Sequence, residues 1–307
     1  MSTRGADEAP AANGAEGTTS VVAGIDRGPL GGAVLRAAAE EALRRDVALD
    51  LVAVVGPSPA LDDAHRWTPA RSGPGLPGPG ADLDSAPGWP EAIRRLAEAA
   101  DQAEATWPQL EVRTWCVAQD ELRDSATAVG LPAPERLVVG ARGRNRTPAF
   151  GLRSVSRLLA KRFAAPVLVV PVSLPPPAAP VVVGLRDRRD VEVLRSAVAE
   201  SALRGAPLVV VLVLGGPADP GPHGVLDDVA VPPGTRVIAV TSEPAAPALA
   251  RVAVAEDAQL LVIGTDGPAS LAGLAHESTS RAVIRLSSRP VLLVPPHAEE
   301  GNRVTPV

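Results

Sequence analysis

Aromatic residues and cysteine are scarce in this sequence, and its basic residues do not outnumber its acidic ones. Phe, Trp and Tyr together make up 2% of its 307 residues, Tyr is absent, and the formal net charge is -5. Proteins that bind nucleic acids usually present a basic face with stacking aromatic side chains, so this composition argues against that class. The single cysteine, Cys116, excludes a disulfide within the chain and a metal cluster built on cysteines. Its segment RTWCVA predicts a buried strand position.

Long apolar runs are also missing. The longest, such as LVVVLVL at 208–214, are far too short to span a bilayer. Residues 1–19 are rich in Ala, Gly and Glu and lack the apolar core of a signal peptide, so they are predicted to be a disordered tail. A second tail is predicted at 297–307. These patterns favour a cytoplasmic protein.

A recognisable catalytic set is the third absence. The sequence contains no GxxxxGK[ST] phosphate loop, and its four histidines are scattered without ligand partners at suitable spacing. The acidic residues of AAAEEALRRD and AEAADQAEA fall at helix spacing with arginines, which predicts solvated helix faces with ion pairs. The sequence therefore nominates no catalytic residue.

The chain does contain an internal repeat. The segment LVVG at 137–140 corresponds to LVIG at 261–264, and SVVAGID at 20–26 corresponds to PVVVGLR at 180–186. After each LVVG-like segment a glycine, a serine, an arginine and a proline follow at identical spacing, and the proline opens PVLVVP or PVLLVP. The matched pairs are Gly143 and Gly267, Ser154 and Ser278, Arg157 and Arg281, Pro166 and Pro290. Such agreement without gaps predicts two similar domains.

Each repeat predicts a parallel α/β domain. Continuous Val/Leu strands alternate with helical patterns, which is typical of a parallel sheet covered on both faces. The first domain is predicted at 20–172, with a Pro/Gly-rich insertion at 56–90 that is expected to lack regular structure. A proline-stiffened linker at 173–180 leads to the second domain at 181–296. In the shorter middle of this second domain, one helix is expected to be lost or reduced to a turn.

The strand-loop-helix segment that begins at Gly140 resembles the nucleotide motif of the universal stress protein family. That motif is Gly-x-x-Gly, nine residues and Gly-Ser, placed between a buried strand and a helix. VVAGID, SVSR and PVLVVP are similar to other segments of the family, in the same order. The resemblance implies two tandem, open, parallel five-stranded sheets of Rossmann-like type, related by a pseudo-twofold axis. It also implies that the last strands of the two domains meet, 166–171 against 290–295.

The resemblance further implies a stress-response module that binds ATP or a related adenine nucleotide, with Mg²⁺ as the ion that would accompany it. Asp26 would contact the ribose or base, Val54 would pack on the base, and the remaining residues would border the ribose and cradle the phosphates. Glycines allow close approach to phosphate, and the following helix N-terminus favours an anion. The implied site residues are Asp26, Val54, Val139, Gly140, Gly143, Arg153, Ser154, Val155 and Ser156.

Two departures from the family motif bear on this site. Arg153 stands where the motif has glycine, and it either blocks the phosphates or binds them through its guanidinium group. In the second domain Arg186 replaces the aspartate and Glu277 the glycine, so no nucleotide is expected there. The first alternative to a nucleotide-responsive module is a scaffold that acts through an unknown protein partner. The second is an enzyme of the adenine-nucleotide-binding α/β group, a hydrolase or an adenylating type, and slow ATP hydrolysis also stays open. Both a monomer and a homodimer of the tandem chain remain open.

Overall fold

The computed structural model describes residues 19–26, 31–55, 68–69, 74–76, 88–118, 134–141, 165–171, 174–176, 178–214, 224–241, 243–265 and 278–296. The first repeat contributes β1 (Ser20–Gly24), α1 (Gly31–Arg45), β2 (Ala48–Val55), β3 (Thr68–Pro69), β4 (Pro74–Leu76), α2 (Trp89–Thr106), β5 (Val112–Ala118), β6 (Pro134–Gly140) and β7 (Val167–Val170). The second contributes β8 (Val181–Leu185), α3 (Val191–Arg204), β9 (Leu208–Val213), α4 (Val225–Asp228), β10 (Arg236–Val240), α5 (Ala245–Ala255), β11 (Leu260–Gly264), α6 (Thr279–Leu286) and β12 (Val291–Val294).

Ten of these strands form one sheet, in the order β10-β9-β8-β11-β12-β7-β6-β1-β2-β5. We call β1, β2, β5, β6 and β7 with α1 and α2 the N-terminal half, and β8–β12 with α3–α6 the C-terminal half. Neighbouring strands are parallel within each half. The halves join where β7 and β12 pair antiparallel, with Val169 opposite Val291 and Val167 opposite Leu293. The predicted contact between the last strands therefore exists, and it fuses the two expected sheets into one.

The middle of the N-terminal half differs from the sequence prediction, whereas the middle of the C-terminal half agrees with it. The Pro/Gly-rich insertion was expected to lack regular structure, but it contains the β3-β4 hairpin, in which Pro69 pairs with Pro74. Proline lacks a backbone donor and is tolerated in such an isolated pair, where neither strand needs a second neighbour. In the C-terminal half the corresponding region contains α4, a helix of 4 residues, in agreement with the expected reduction to a turn. Cys116 is fully buried in β5, as predicted.

The sheet is covered on two faces. On one face, which we call the α1 face, α1, α2 and α3 pack on strand residues such as Val21, Val138 and Val183. On the other, the α5 face, α5 and α6 pack on residues such as Val182, Leu261 and Leu293. Because successive strand residues point to opposite faces, the two apolar clusters interleave along every strand.

A buried ion-pair network links α1 to α3 across the β7-β12 junction. Glu41 bonds Arg45 within α1, and Glu200 bonds Arg204 within α3, each at i,i+4 spacing. The helices then exchange partners, since Arg45 also donates to Glu200 and Arg204 also donates to Glu41. All four residues occupy matching positions after the repeated VLR of α1 and α3, so the repeat builds a pseudo-symmetric quartet.

The burial of these charges contradicts one sequence prediction. The acidic residues of AAAEEALRRD were expected on a solvated helix face, which holds for Glu40 at 41% exposure, but the Glu41 side chain is 1% exposed. Glu200, the counterpart of Glu41 in the second repeat, is 4% exposed. The other half faces them, and a helical pattern read within one repeat cannot show that contact. The second acidic pattern does behave as predicted, because Arg94 pairs with Glu91 and Glu98 on the exposed face of α2.

Candidate functional site

The sheet order places one crevice in each half where the winding of the chain reverses. From β1 the chain proceeds to β2 and β5 on one side, whereas β6 and β7 lie on the other side of β1. In open parallel sheets, ligands bind beyond the carboxyl ends of the strands at such a switch point. The C-terminal half repeats this arrangement, with β8 and β11 at its reversal. The candidate site of the N-terminal half therefore lies after β1 and β6, and its counterpart in the C-terminal half lies after β8 and β11.

In the N-terminal half, four of the predicted site residues lie at this edge. Asp26 follows β1, Val54 is near the end of β2, and Val139 and Gly140 end β6. The Ile25 N–H still donates to Val52 O at 2.8 Å, so strand-like alternation continues past β1. Ile25 packs in the α1-face cluster, and Val54 and Val139 belong to the α5-face cluster. Alternation therefore directs Asp26 to the same face as Val54 and Val139.

The remaining predicted site residues, Gly143, Arg153, Ser154, Val155 and Ser156, lie outside the described residues. The counterpart of Ser154 in the second repeat is described. Ser278 is the N-cap of α6, and its hydroxyl accepts the Arg281 N–H at 3.4 Å. This is the capping role that the sequence predicts for Ser154.

The crevice of the C-terminal half contains a side chain that the sequence comparison overlooked. Asp190 is 5% exposed, and its carboxylate accepts the backbone N–H of Arg186 at 2.6 Å and that of Asp187 at 3.3 Å. The Arg186 guanidinium lies 3.9 Å from the same carboxylate. Arg186 stands in the position of Asp26, so the charge after the first strand is reversed and is paired internally. In the sequence of the N-terminal half, the corresponding residues 27–30 read RGPL and include no acid.

Close packing around two glycines shows how tightly this second crevice is filled. A Cβ on Gly264 would lie 3.2 Å from Asp190 Oδ1 and 2.9 Å from Val193 Cγ2. A Cβ on Gly184 would lie 2.5 Å from Leu249 Cδ2 of α5, which is closer than real Cβ contacts. Close packing against Val193 and Asp190 thus accounts for the glycine at position 264.

Asp190 forms part of a reciprocal cap on the short 3-10 turn Arg188–Asp190, which leads into α3. Asp187 accepts the Arg189 N–H at 2.7 Å, while Asp190 accepts the Asp187 N–H. Burial raises the pKa of Asp190, against the opposing effect of its backbone hydrogen bonds and of Arg186. The stability that Asp190 contributes is therefore greatest below its ordinary pKa of 3.8 and falls as pH rises through the higher folded-state value.

We expect Asp190→Ala to lower the free energy of unfolding by about 0.5–2 kcal/mol at pH 7, because two backbone N–H groups lose their acceptor. Asp190→Asn should cost less, since its amide oxygen accepts the same groups without a buried charge. Urea denaturation of both variants measures the difference. An Asn variant less stable than the Ala variant would contradict this role.

The sequence did contain a signal for this cap. The spacing Asp-x-x-Asp directly before an apolar helical pattern is that of a reciprocal helix cap. Comparison with the first repeat drew attention to Arg186 instead.

Among the described residues, no group of three His, Cys, Asp or Glu side chains is placed to hold a metal ion. Nor does any described helix combine the length and apolarity needed to cross a bilayer.

Comparison with known families agrees with the motif and with the fold. The model of the universal stress protein family matches residues 225–295, from α4 through β12. This segment of the C-terminal half is therefore similar to the universal stress protein family. In the sequence, the Gly, Ser, Arg and Pro that follow LVIG recur at the same spacing after LVVG at 137–140. A comparison with curated proteins gives no significant match.

Two solved structures show the same fold over about nine-tenths of this chain. One from Archaeoglobus fulgidus has a TM-score of 0.59 at 16% identity, covering 90% of this chain and 98% of its own. Another, described as a putative universal stress protein from Pseudomonas aeruginosa, has a TM-score of 0.55 at 15% identity and covers 91% of this chain and 94% of its own. A shorter A. fulgidus member in complex with dAMP covers 38% of this chain and 96% of its own, at 24% identity and a TM-score of 0.27.

Proposed function

We propose that this chain is a tandem universal stress protein that acts as a nucleotide-responsive regulatory module and binds one adenine nucleotide, in its N-terminal half only. The observation that carries the proposal is the difference between its two crevices. At the N-terminal switch point Asp26 follows β1, and the next four residues in the sequence, RGPL, include no acid. At the C-terminal switch point Asp190 already accepts the backbone N–H groups of Arg186 and Asp187.

The residues at the N-terminal crevice suit an adenosine. The Asp26 carboxylate accepts hydrogen bonds, which fits ribose hydroxyls or the adenine amino group. Val54 and Val139 present branched apolar side chains on the same face, which fits the flat surface of a base. Gly140 adds no side chain where the ribose would approach. ATP, with Mg²⁺ on its phosphates, is the adenine nucleotide that we propose first. The sequence after Gly140 contains Arg142, Arg144 and Arg146, which would supply positive charge for the phosphates.

Filling of the C-terminal crevice supports the one-sided assignment. An anion entering there would meet the Asp190 carboxylate, and like charges within a few ångströms repel. It would also have to displace an acceptor that two backbone groups already use. We therefore assign the C-terminal half a structural role in the tandem pair, and we place the response to nucleotide in the N-terminal half.

Adenine nucleotide retained by the purified protein provides a direct test. We expect mass spectrometry of the denatured full-length protein to detect ATP, ADP or AMP, and we expect Asp26→Ala to lose it. Asp101→Ala, which removes an exposed carboxylate from α2, is the matched control and should retain the nucleotide.

The alternative is a scaffold that acts only through protein contacts. Wild-type protein free of adenine nucleotide, together with no heat on titration with ATP, ADP and cyclic AMP, would favour the scaffold and contradict the proposed binding.

A further inference from the structure

A cavity of about 200 Å³ lies at the seam between the two halves, on the α1 face and away from both crevices. Its floor is apolar and comes from both halves, with Leu168 of β7 and with Leu260 and Pro290 beside β11 and β12. The α1 helix supplies one wall, and the segment that enters β8 supplies Leu174 and Pro175. We call this space the seam cavity.

Three guanidinium groups border the seam cavity. They belong to Arg36 and Arg44 of α1 and to Arg204 of α3. Arg44 pairs with Glu40 and Glu41, both of which also line the cavity. Arg36 is exposed, and no ion pair joins it to another described residue. The lining therefore includes three positive and two negative groups, which leaves an excess of one positive charge.

The network beneath the cavity has the same imbalance. The side chains of Arg45, Arg136 and Arg204 are 5%, 7% and 7% exposed. Only Glu41 and Glu200 are equally buried among the acids that face them. Glu135, which contacts Arg45 at 3.4 Å, is 43% exposed to solvent. Counting the side chains under one-tenth exposed, three cations face two anions.

The positive charge of Arg136 is incompletely compensated by its surroundings. Its Nε and Nη1 have no hydrogen-bond partner among the described residues. Burial lowers the pKa of Arg136, and repulsion from Arg45 adds to that effect, although Glu200 and Glu41 oppose it. Buried charge is costly unless it is compensated by a partner. Arg136 does not line the seam cavity, but Arg204 belongs both to the network and to the lining, so an anion in the cavity would lie beside one cation of the network.

We propose that the seam cavity binds a small organic carboxylate with a short apolar body. Its carboxylate would contact the guanidinium groups of Arg36 and Arg44, whose planar donors match two carboxylate oxygens. Its apolar body would cover Leu168 and Leu260. Because both halves line the cavity, such a ligand stabilises their junction. The cavity is smaller than sites for drug-sized ligands, which occupy about 300–1,000 Å³, so a whole nucleotide is excluded.

Calorimetry of the full-length protein with hexanoate, at fixed ionic strength, tests this assignment. We expect saturable binding at one site per chain, and Arg36→Ala should weaken it roughly tenfold through loss of a charge-assisted contact. Arg195 is the matched control, because VLR at 34–36 and at 193–195 are equivalent segments. Arg195 is 57% exposed, pairs with Glu192 and does not line the cavity, so Arg195→Ala should bind hexanoate like wild type.

A second variant separates cavity filling from loss of charge. Ala37 lines the cavity and is 6% exposed, so Ala37→Met should fill the space and abolish hexanoate binding without lowering the melting temperature. Asp26→Ala should leave hexanoate binding unchanged, which distinguishes this site from the nucleotide crevice.

Three results would overturn the proposal. The first is that wild type does not bind hexanoate saturably. The second is that the Arg36→Ala and Ala37→Met variants bind hexanoate with the affinity of wild type. The third is that wild type binds inorganic phosphate as tightly as hexanoate.

Discussion

Replacement of Glu200 by alanine is expected to lower the free energy of unfolding by about 3–5 kcal/mol. Glu200 accepts hydrogen bonds from Arg45, Arg136 and Arg204, and its side chain is 4% exposed. Without it, three buried guanidinium groups would share the single buried carboxylate of Glu41. Removing one partner of a buried ion pair costs far more than the pair contributes, because the other charges stay buried without compensation. Denaturant unfolding of the full-length protein measures the loss.

The control for this variant lies two turns earlier on the same helix. Glu192 pairs with Arg195 at 2.6 Å, but the Arg195 side chain is 57% exposed. Water screens that pair, so Glu192→Ala should cost about 0–1 kcal/mol. Equal losses in the two variants would show that the network between α1 and α3 is no more important than a surface pair.

The same network should depend on pH with a defined sign. Burial alone would raise the pKa of Glu200, but the charges of Arg136, Arg204 and Arg45 prevail and lower it below 4.5. A lowered folded-state pKa gives stability that is complete above the ordinary value and is lost as pH falls through the folded-state value. The advantage of wild type over Glu200→Gln should therefore be full above about pH 4.5 and should shrink at more acid pH.

Replacement of Asp50 by alanine should be nearly as damaging, by about 3–5 kcal/mol. Asp50 is fully buried in β2, directly opposite Arg113 of β5. Its oxygens accept Arg113 Nε at 2.7 Å, Arg113 Nη2 at 2.9 Å and Trp115 Nε1 at 2.8 Å. The alanine variant would leave a largely buried guanidinium and an indole N–H without their acceptor. Denaturant unfolding again gives the magnitude.

A double variant tests whether charge or volume causes that loss. Replacing Asp50 and Arg113 together by leucines removes the unpaired charge and keeps apolar volume. Buried ion pairs can often be exchanged for apolar residues at little cost, so the double variant should recover most of the stability that Asp50→Ala loses. A double variant that is less stable than Asp50→Ala would show that the pair itself, not the stranded arginine, carries the energy.

The repeat made much of this fold predictable from sequence. The repeat located the two last strands, the family resemblance implied that they meet, and Val169 does pair with Val291. The parallel halves followed from strands of continuous Val and Leu separated by helices. These features are local in sequence, or are repeated, and therefore leave a visible pattern.

Features that depend on contacts between the halves were not predictable in this way. Glu41 and Glu200 have the spacing of solvated helix charges, and only the packing of α1 near α3 buries them. Asp190 was overlooked for a different reason. Its counterpart in the first repeat is not an acid, so alignment of the repeats emphasised Arg186, which it pairs with, and not Asp190 itself.

The difference between the crevices links this structure to a function. One fold is used twice, and the same position after the first strand is Asp26 in one half and Arg186 in the other. In the C-terminal half the chain satisfies its own backbone donors with Asp190, and Leu249 packs against Gly184. The buried network between α1 and α3 connects the half that is proposed to bind nucleotide to the half whose switch point contains Asp190.

The most direct test of this account is the stoichiometry of ATP binding, measured by calorimetry on the full-length chain after removal of any retained nucleotide. The account predicts one ATP per chain for wild type, none for Asp26→Ala, and still one for Arg186→Asp, because Asp190 continues to fill the second crevice. Two equivalent sites per chain, or a single site that survives Asp26→Ala, would contradict it.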